Sequence, residues 1–418
     1  MMRRTSFIRN SDAARAACRI LNIILVAALL LSVFARTDTL VRPQEANDRF
    51  REFFEEDQEY DVLFFGSSHM LNSVNPMQLW SEYGITSYNW AGAATWTPAS
   101  YWIFRNAIEY HKPRIAVLDV YGTVQGAQEQ NHSMLHHTFD AFPLSVTKVR
   151  AVCDLFPEQE KREELLFPFN IYHSRWSSLT PEAVDRALQE SRPSRYKGST
   201  LRGEVFDDVK MLDYAYGSVL DPERDGLTYG TGYLVKFIET CLAEGIQPVL
   251  MYAPYNVPDE PDLVSNIARQ YQVPYFDYYI RGNELINHKT DLPDRAHLNF
   301  SGAAKITDLL GKELSAMLQP EHGQEQREKW DRYYQDYKAD LYQRAENAQS
   351  LQELLLYLSA PMLRAQIYIH PEAQVPELTD FADTVKEKCE VVMTTAVPSV
   401  RVCLQDTESG NVVAVKAF

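Results

Sequence analysis

The sequence predicts an α/β protein: a parallel sheet covered by helices on both faces, held behind an N-terminal apolar helix and followed by a small α+β module. Three observations carry this. Short, nearly all-apolar runs such as Asp61–Phe65 (DVLFF) and Arg114–Tyr121 (RIAVLDVY) alternate with helix-length stretches, the pattern of strands buried on both sides. Ile20–Ala35 is an uncharged sixteen-residue run behind five arginines. Beyond Pro320 the rhythm changes to one long charged helix and then to short strands.

The 418 residues are 45% apolar and 23% charged, an ordinary globular composition with room for two or three domains. Charge is uneven. Residues 1–36 hold six arginines and one acid, leaving 35 basic and 56 acidic residues in the remainder, a net of −21. A body that acidic repels a phosphate backbone, so no nucleic-acid partner is expected.

Taken in order, residues 1–36 read as a cytoplasmic tip and a transmembrane signal-anchor. Ile20–Ala35 with Ala16–Arg19 approaches the length of a bilayer span. The arginines before it place the N-terminus in the cytoplasm and the body outside the plasma membrane. The same run also reads as a signal peptide, with Val33-Phe34-Ala35 resembling a cleavage site, which would make the body secreted. Residues 37–59 form a charged helical spacer in which Pro43 suits a first turn.

The α/β unit spans 60–320. Asp61–Phe65, Thr86–Trp90, Arg114–Tyr121, Gln247–Ala253 and Tyr275–Tyr278 are its expected strands. Helices are expected near Thr97–His111, Tyr229–Glu244, Asp262–Tyr271 and Ser301–Leu318, the last with Ser301 as N-cap. Residues 122–227 are polar and rich in His, Tyr and Pro, and are expected as an insertion or lid above the sheet edge. Residues 321–349 form an amphipathic helix on which Trp330, Tyr333, Tyr334, Tyr337 and Leu341 make one stripe. Such a stripe packs a core or, alternatively, stacks on carbohydrate. Residues 350–418 form the C-terminal module, with strands at Arg364–Ile369, Glu390–Thr394, Val400–Leu404 and Val412–Lys416 and a turn at Ser409–Asn411. With no C-x-x-C pair, zinc-ribbon and thioredoxin chemistry lack their ligands. Cys389 and Cys403 either meet across neighbouring strands as a disulfide or stay separate thiols.

Two segments could carry chemistry. Gly66-Ser67-Ser68-His69 follows the first strand, where open α/β sheets place ligands. Gly66 permits a sharp turn, and Ser68 then stands where backbone N–H groups are free to hold an oxyanion. Asp294-Arg295-Ala296-His297 precedes the closing helix. A histidine can take a serine's proton near neutrality, and an Asp three residues earlier can hold its ring. Lesser candidates for binding substrate are His69, Asn72 (one turn beyond Ser68), Tyr121, His136, Arg175 and Trp176. His132 and His136 have the i, i+4 spacing that binds zinc on a helix, with Asp140 four residues on. No glutamate-base pattern accompanies them. No metal and no cofactor are therefore assigned.

Gly66-Ser67-Ser68 and Asp294-x-x-His297 resemble two blocks of the SGNH (GDSL-type) hydrolases, with Ser67 in place of the usual Asp. Ser87–Ala94 (SYNWAGAA) is similar to a third, with Ala94 where many members have Gly. The Gly-x-Asn block is not legible; Leu118-Asp119-Val120-Tyr121-Gly122 stands in its region, and Asp119 or Tyr121 is expected to line that edge. The resemblance implies a three-layer, flavodoxin-like fold over roughly 60–318. It also implies a Ser68–His297–Asp294 relay, with the Ser68 and Ala94 backbone N–H groups, and Asn89, at the oxyanion. The anchor, Gly-x-Ser-His and Asp-x-x-His-Leu-Asn-x-x-Gly-Ala together resemble the membrane-anchored branch of cell-surface polymer O-acyltransferases and teichoic-acid D-alanylation proteins. That branch implies acyl transfer on a cell-envelope polysaccharide or teichoic-acid-like polymer, beside a multi-span membrane O-acyltransferase. The alternatives are a non-catalytic scaffold for that enzyme and a secreted small-ester hydrolase.

Overall fold

The computed structural model describes residues 4–42, 44–55, 59–123, 130–188, 194–205, 227–254, 261–278, 284–294 and 296–418. Pro43 and Arg295 lie outside the described residues.

Helix α1 (Arg4–Val41) contains Ala14–Asp38, 25 residues long and apolar enough to cross a membrane. At 1.5 Å per residue that is about 38 Å, more than the ~30 Å of a hydrocarbon core. Its apolar side chains, Ile23 and Leu29 among them, are exposed in the isolated chain. The segment expected as a spacer forms α2 (Gln44–Glu55) and is docked on the body. Phe50 and Phe53 are fully buried, and Phe50 stacks on Trp90 at 4.1 Å. Glu52 pairs with Lys197 at 2.8 Å, both buried.

The central sheet contains β1 (Val62–Phe65), β2 (Ser87–Asn89), β3 (Ile115–Asp119), β4 (Gln247–Tyr252) and β5 (Tyr275–Asp277), all parallel in the order 2-1-3-4-5. The order reverses between β1 and β3, so a crevice opens beyond their carboxyl ends. Side chains alternate between two cores. Leu63, Phe65, Ala116, Leu118, Leu250 and Tyr252 face one, and Val62, Phe64, Ile115, Val117, Val249 and Met251 the other. This is why the strands read as unbroken apolar runs.

Helices α3 (Ser68–Ser73) and α4 (Pro76–Tyr83) follow β1, and α5 (Thr97–Ala107) follows β2. The insertion after β3 contains α6 (His132–Phe139), α7 (Val146–Leu155), α8 (Gln159–Leu166), α9 (Phe169–Tyr172) and α10 (Pro181–Leu188), and its residues 194–205 are turns and irregular chain. It packs on the end of α1, where Phe34 meets Phe169 and Arg175 donates to the Val41 carbonyl at 3.0 Å. Helix α11 (Tyr229–Glu244) leads into β4, α12 (Pro261–Tyr271) into β5, and α13 (Phe300–Leu318) closes the unit. The cap of α13 is Asn299, not Ser301: the Asn299 Oδ1 accepts from Ser301 and Gly302 N–H, and Ser301 is already inside the helix.

In α14 (Gln324–Asn347) the aromatic stripe is buried, with Trp330, Tyr337 and Leu341 fully so; that leaves no stacking face for carbohydrate. After α15 (Leu351–Tyr357) come β6 (Leu363–Ile369), α16 (Pro376–Asp380), α17 (Ala382–Lys388), β7 (Cys389–Met393), β8 (Val400–Asp406) and β9 (Val412–Ala417), a second sheet in the order 7-6-8-9. Strand β6 lies between β7 and β8, so Cys389 and Cys403 sit two strand spacings apart, about 9–10 Å. Both are free thiols, and the disulfide alternative is corrected by strand order.

Candidate active site

Gly66 ends β1 with φ +142°, a conformation open to glycine, and turns the chain into α3. Its carbonyl accepts from Gly92 N–H at 3.0 Å, laying the loop after β2 alongside. Ser67 is the N-cap of α3. Its Oγ accepts from His69 N–H and donates to Asp119 Oδ2 at 2.6 Å, at the carboxyl end of β3. That leaves Ser68, partly exposed, as the serine free to face the crevice.

Ser68 Oγ lies 2.8 Å from His297 Nε2. His297 Nδ1 lies 3.0 Å from each Asp294 oxygen. Residues 229 apart in sequence thus share a hydrogen bond, because β1 and the loop before α13 end at the same rim of the sheet. Asp294 Oδ1 also accepts the N–H groups of Ala296 (2.8 Å) and His297 (3.0 Å), and Arg202 grips Oδ2. Partial burial works against charge on Asp294, but these bonds outweigh it and hold the carboxyl down at about 2. It is therefore ionised at neutral pH and can only accept, which puts the imidazole proton on Nδ1 and the Nε2 lone pair toward Ser68.

His69 is buried behind this pair, stacked on Tyr121 at 4.0 Å and 5.5 Å from the His297 ring. Burial first, and His297 second, push it down to about 3, so it is neutral. It forms a buried wall behind the pair. Asn72 Nδ2 donates back to the Ser68 carbonyl at 2.6 Å and braces the turn. Ala94 adopts φ +48° in the turn after β2, two residues beyond the Gly92–Gly66 bond. Asn89 is a correction: Nδ2 donates to the Met70 carbonyl and Ser199 Oγ, and Oδ1 accepts from Ala91 N–H. Its amide is spent on the scaffold and has no donor left for an oxyanion.

The other substrate candidates are not brought to Ser68 by their contacts. His136 is buried against Asp140 in the insertion. Arg175 is held by the end of α1, and Trp176, beside it, is 64% exposed. Arg202 is the residue the sequence hides: it comes from an unpatterned part of the insertion, 92 positions before Asp294.

Asp119 is fully buried, and burial raises its carboxyl to about 6 despite the Ser67 hydroxyl and the N–H groups of Tyr121 and Ser67. An unfolded Asp titrates near ~3.9. Between these values the folded state keeps a proton that the unfolded state has lost. Asp119 thus contributes stability that is complete below ~3.9 and lost as pH rises through about 6. Asp119→Asn cannot titrate. The melting temperature of the parent relative to the variant should fall from about pH 4 to about pH 7; parallel curves in calorimetry would refute the burial argument.

No family model matches the chain, and no curated protein matches it. Among solved structures it is similar to a Bacteroides fragilis protein named a "putative acylhydrolase", over 66% of this chain and 99% of that one, at 11% identity and a TM-score of 0.32. A likeness that loose leaves the assignment to the site's own geometry.

Proposed function

We propose that the protein is a serine acyltransferase or esterase of the SGNH type, with the flavodoxin-like strand order 2-1-3-4-5 and Ser68 as nucleophile. The supporting observation is the unbroken chain Ser68 Oγ–His297 Nε2, His297 Nδ1–Asp294. Ser68 attacks an ester carbonyl, and His297 takes its proton. Asp294 steadies the resulting imidazolium, and Arg202 keeps Asp294 in place. The backbone N–H groups of Ser68 and Ala94 hold the oxyanion. The tetrahedral intermediate collapses as the ester C–O bond breaks and His297 returns its proton to the departing alcohol. The acyl-enzyme then passes its acyl group to a hydroxyl, of a sugar or alditol or of water, whose proton His297 takes and hands back to Ser68 Oγ.

The acceptor we propose is a cell-envelope polysaccharide or teichoic-acid-like polymer. The apolar helix α1 would anchor the body outside the plasma membrane, N-terminus inside, beside a multi-span O-acyltransferase that shares the acyl group. The test is hydrolysis of p-nitrophenyl acetate with and without a polysaccharide acceptor. Acceptor-dependent acylation of the glycan supports transfer, and p-nitrophenol release without it supports simple hydrolysis. Absence of both, with unlabelled serine, would leave a scaffold. Asp294→Asn should lower kcat by about 10³- to 10⁴-fold with the fold intact, because the wrong imidazole tautomer then faces Ser68. A loss under tenfold would remove Asp294 from the relay.

A further inference from the structure

A second constellation lies in the insertion, in the seam between α6 and α8. His132 and His136 stand one turn apart on α6, so they share a face. Glu164 faces them from α8. One ligand atom from each of the three lies within 4.8 Å of the other two.

The rings are not equivalent. His136 is 7% exposed, and its Nδ1 lies 2.9 and 3.0 Å from the two Asp140 oxygens. Asp140 in turn accepts from the Tyr172 hydroxyl at 2.9 Å, and Arg42 holds its backbone carbonyl. Facing the carboxyl of Asp140, Nδ1 is the donor of the ring, and in the neutral tautomer this selects Nε2 as the lone-pair nitrogen. Among the described residues, that buried Nε2 has no hydrogen-bond partner. A buried acceptor left without a donor is costly unless something covers it. His132 Nε2 lies 3.0 Å from the Lys161 carbonyl and 3.6 Å from Glu164 Oε2.

We propose that His132, His136 and Glu164 bind a divalent transition-metal ion, with Asp140 orienting His136 from behind. Two imidazoles and one carboxylate are the donors zinc takes, whereas magnesium and calcium select oxygen. A carboxylate on the far ring nitrogen is the support that metal-bound histidines use. Binding would exchange the His132 bond to Lys161 for a ligand bond and leave a fourth position open to water. The ion would tie α6 to α8 near the point where α1 joins the body.

The test uses the full-length chain without a histidine tag, in detergent, stripped with chelator and reloaded with zinc chloride. Zinc per chain is read by elemental mass spectrometry, and affinity by competition with a chromophoric chelator. About one zinc per chain is expected, and its loss in His136→Ala. Glu164→Gln and Asp140→Asn should each weaken affinity by about 10- to 100-fold. His137→Ala, at the exposed neighbour on the same helix, should bind as the parent does. Should His136→Ala fail to fold, Glu164→Gln carries the test, because that side chain is 35% exposed and tolerates change. No zinc retained by the parent, or parental affinity in both Glu164→Gln and His132→Gln, overturns the site.

Discussion

Ser68→Ala is expected to abolish labelling by a fluorophosphonate and to lower kcat/KM for an aryl ester by about 10⁴-fold or more, while Ser67→Ala, which loses only the bond to Asp119 and the cap, still labels, at a reduced rate. The two serines are adjacent, yet the structure gives them different work. Ser67 Oγ is committed on both sides, to Asp119 and to the His69 N–H, and is buried. Ser68 Oγ is bonded to an imidazole nitrogen whose ring is fixed by an ionised carboxylate. The alcohol's proton thus has a place to go, and the imidazolium that forms meets Asp294 rather than a second cation. Neutral His69, 5.5 Å away ring to ring, matters here. A charged ring at that distance would oppose the proton transfer. Labelling that survives in Ser68→Ala, or vanishes equally in Ser67→Ala, would contradict this division.

How much of this could be read from the residues varies with the distance over which the information travels. The strands of the central sheet were legible because burial on both faces forces a continuous apolar run, as in Val62–Phe65 and Ile115–Asp119. Gly66-Ser67-Ser68 and Asp294-x-x-His297 were legible because each motif is local. Arg202 and Glu164 were not. Each meets its partner across a polar insertion with no periodicity, so only the folded chain pairs them. The cap of α13 is ambiguous in the sequence because Asn299 and Ser301 are both good caps, and only in the fold is Asn299 also fixed through Nδ2 by the Thr290 and Glu204 carbonyls. The Cys389–Cys403 question turned on strand order, which side-chain patterning does not encode. Asn89 shows the reverse error. Polar and beside the site in sequence, it serves the scaffold, because a buried amide takes the nearest backbone partners.

The largest stability effect is expected at Gly66, and it also disarms the site. At φ +142° an alanine is strained whatever the space around it. Here there is no space: an added Cβ would lie 2.4 Å from Asp119 Cβ and 3.3 Å from Asp119 Cα. Strand β3 cannot withdraw, because it pairs with β1 and β4 and is packed on both faces. Gly66→Ala should therefore cost at least ~3 kcal/mol, by strain and overpacking together. That corresponds to a melting-point loss of about 5 °C or more. Gly84→Ala is the control. Gly84 also has a left-handed φ, +64°, but among the described residues nothing lies within 4 Å of its added Cβ. It should lose only the conformational term, about 1–2 kcal/mol. The two variants differ further in chemistry. Pushing Asp119 aside breaks its bond to Ser67 and loosens the turn that presents Ser68. Folded Gly66→Ala should then label slowly with fluorophosphonate, whereas Gly84→Ala labels at the parental rate. Equal melting temperatures for the two variants would mean that the Gly66–Asp119 contact does not set the turn.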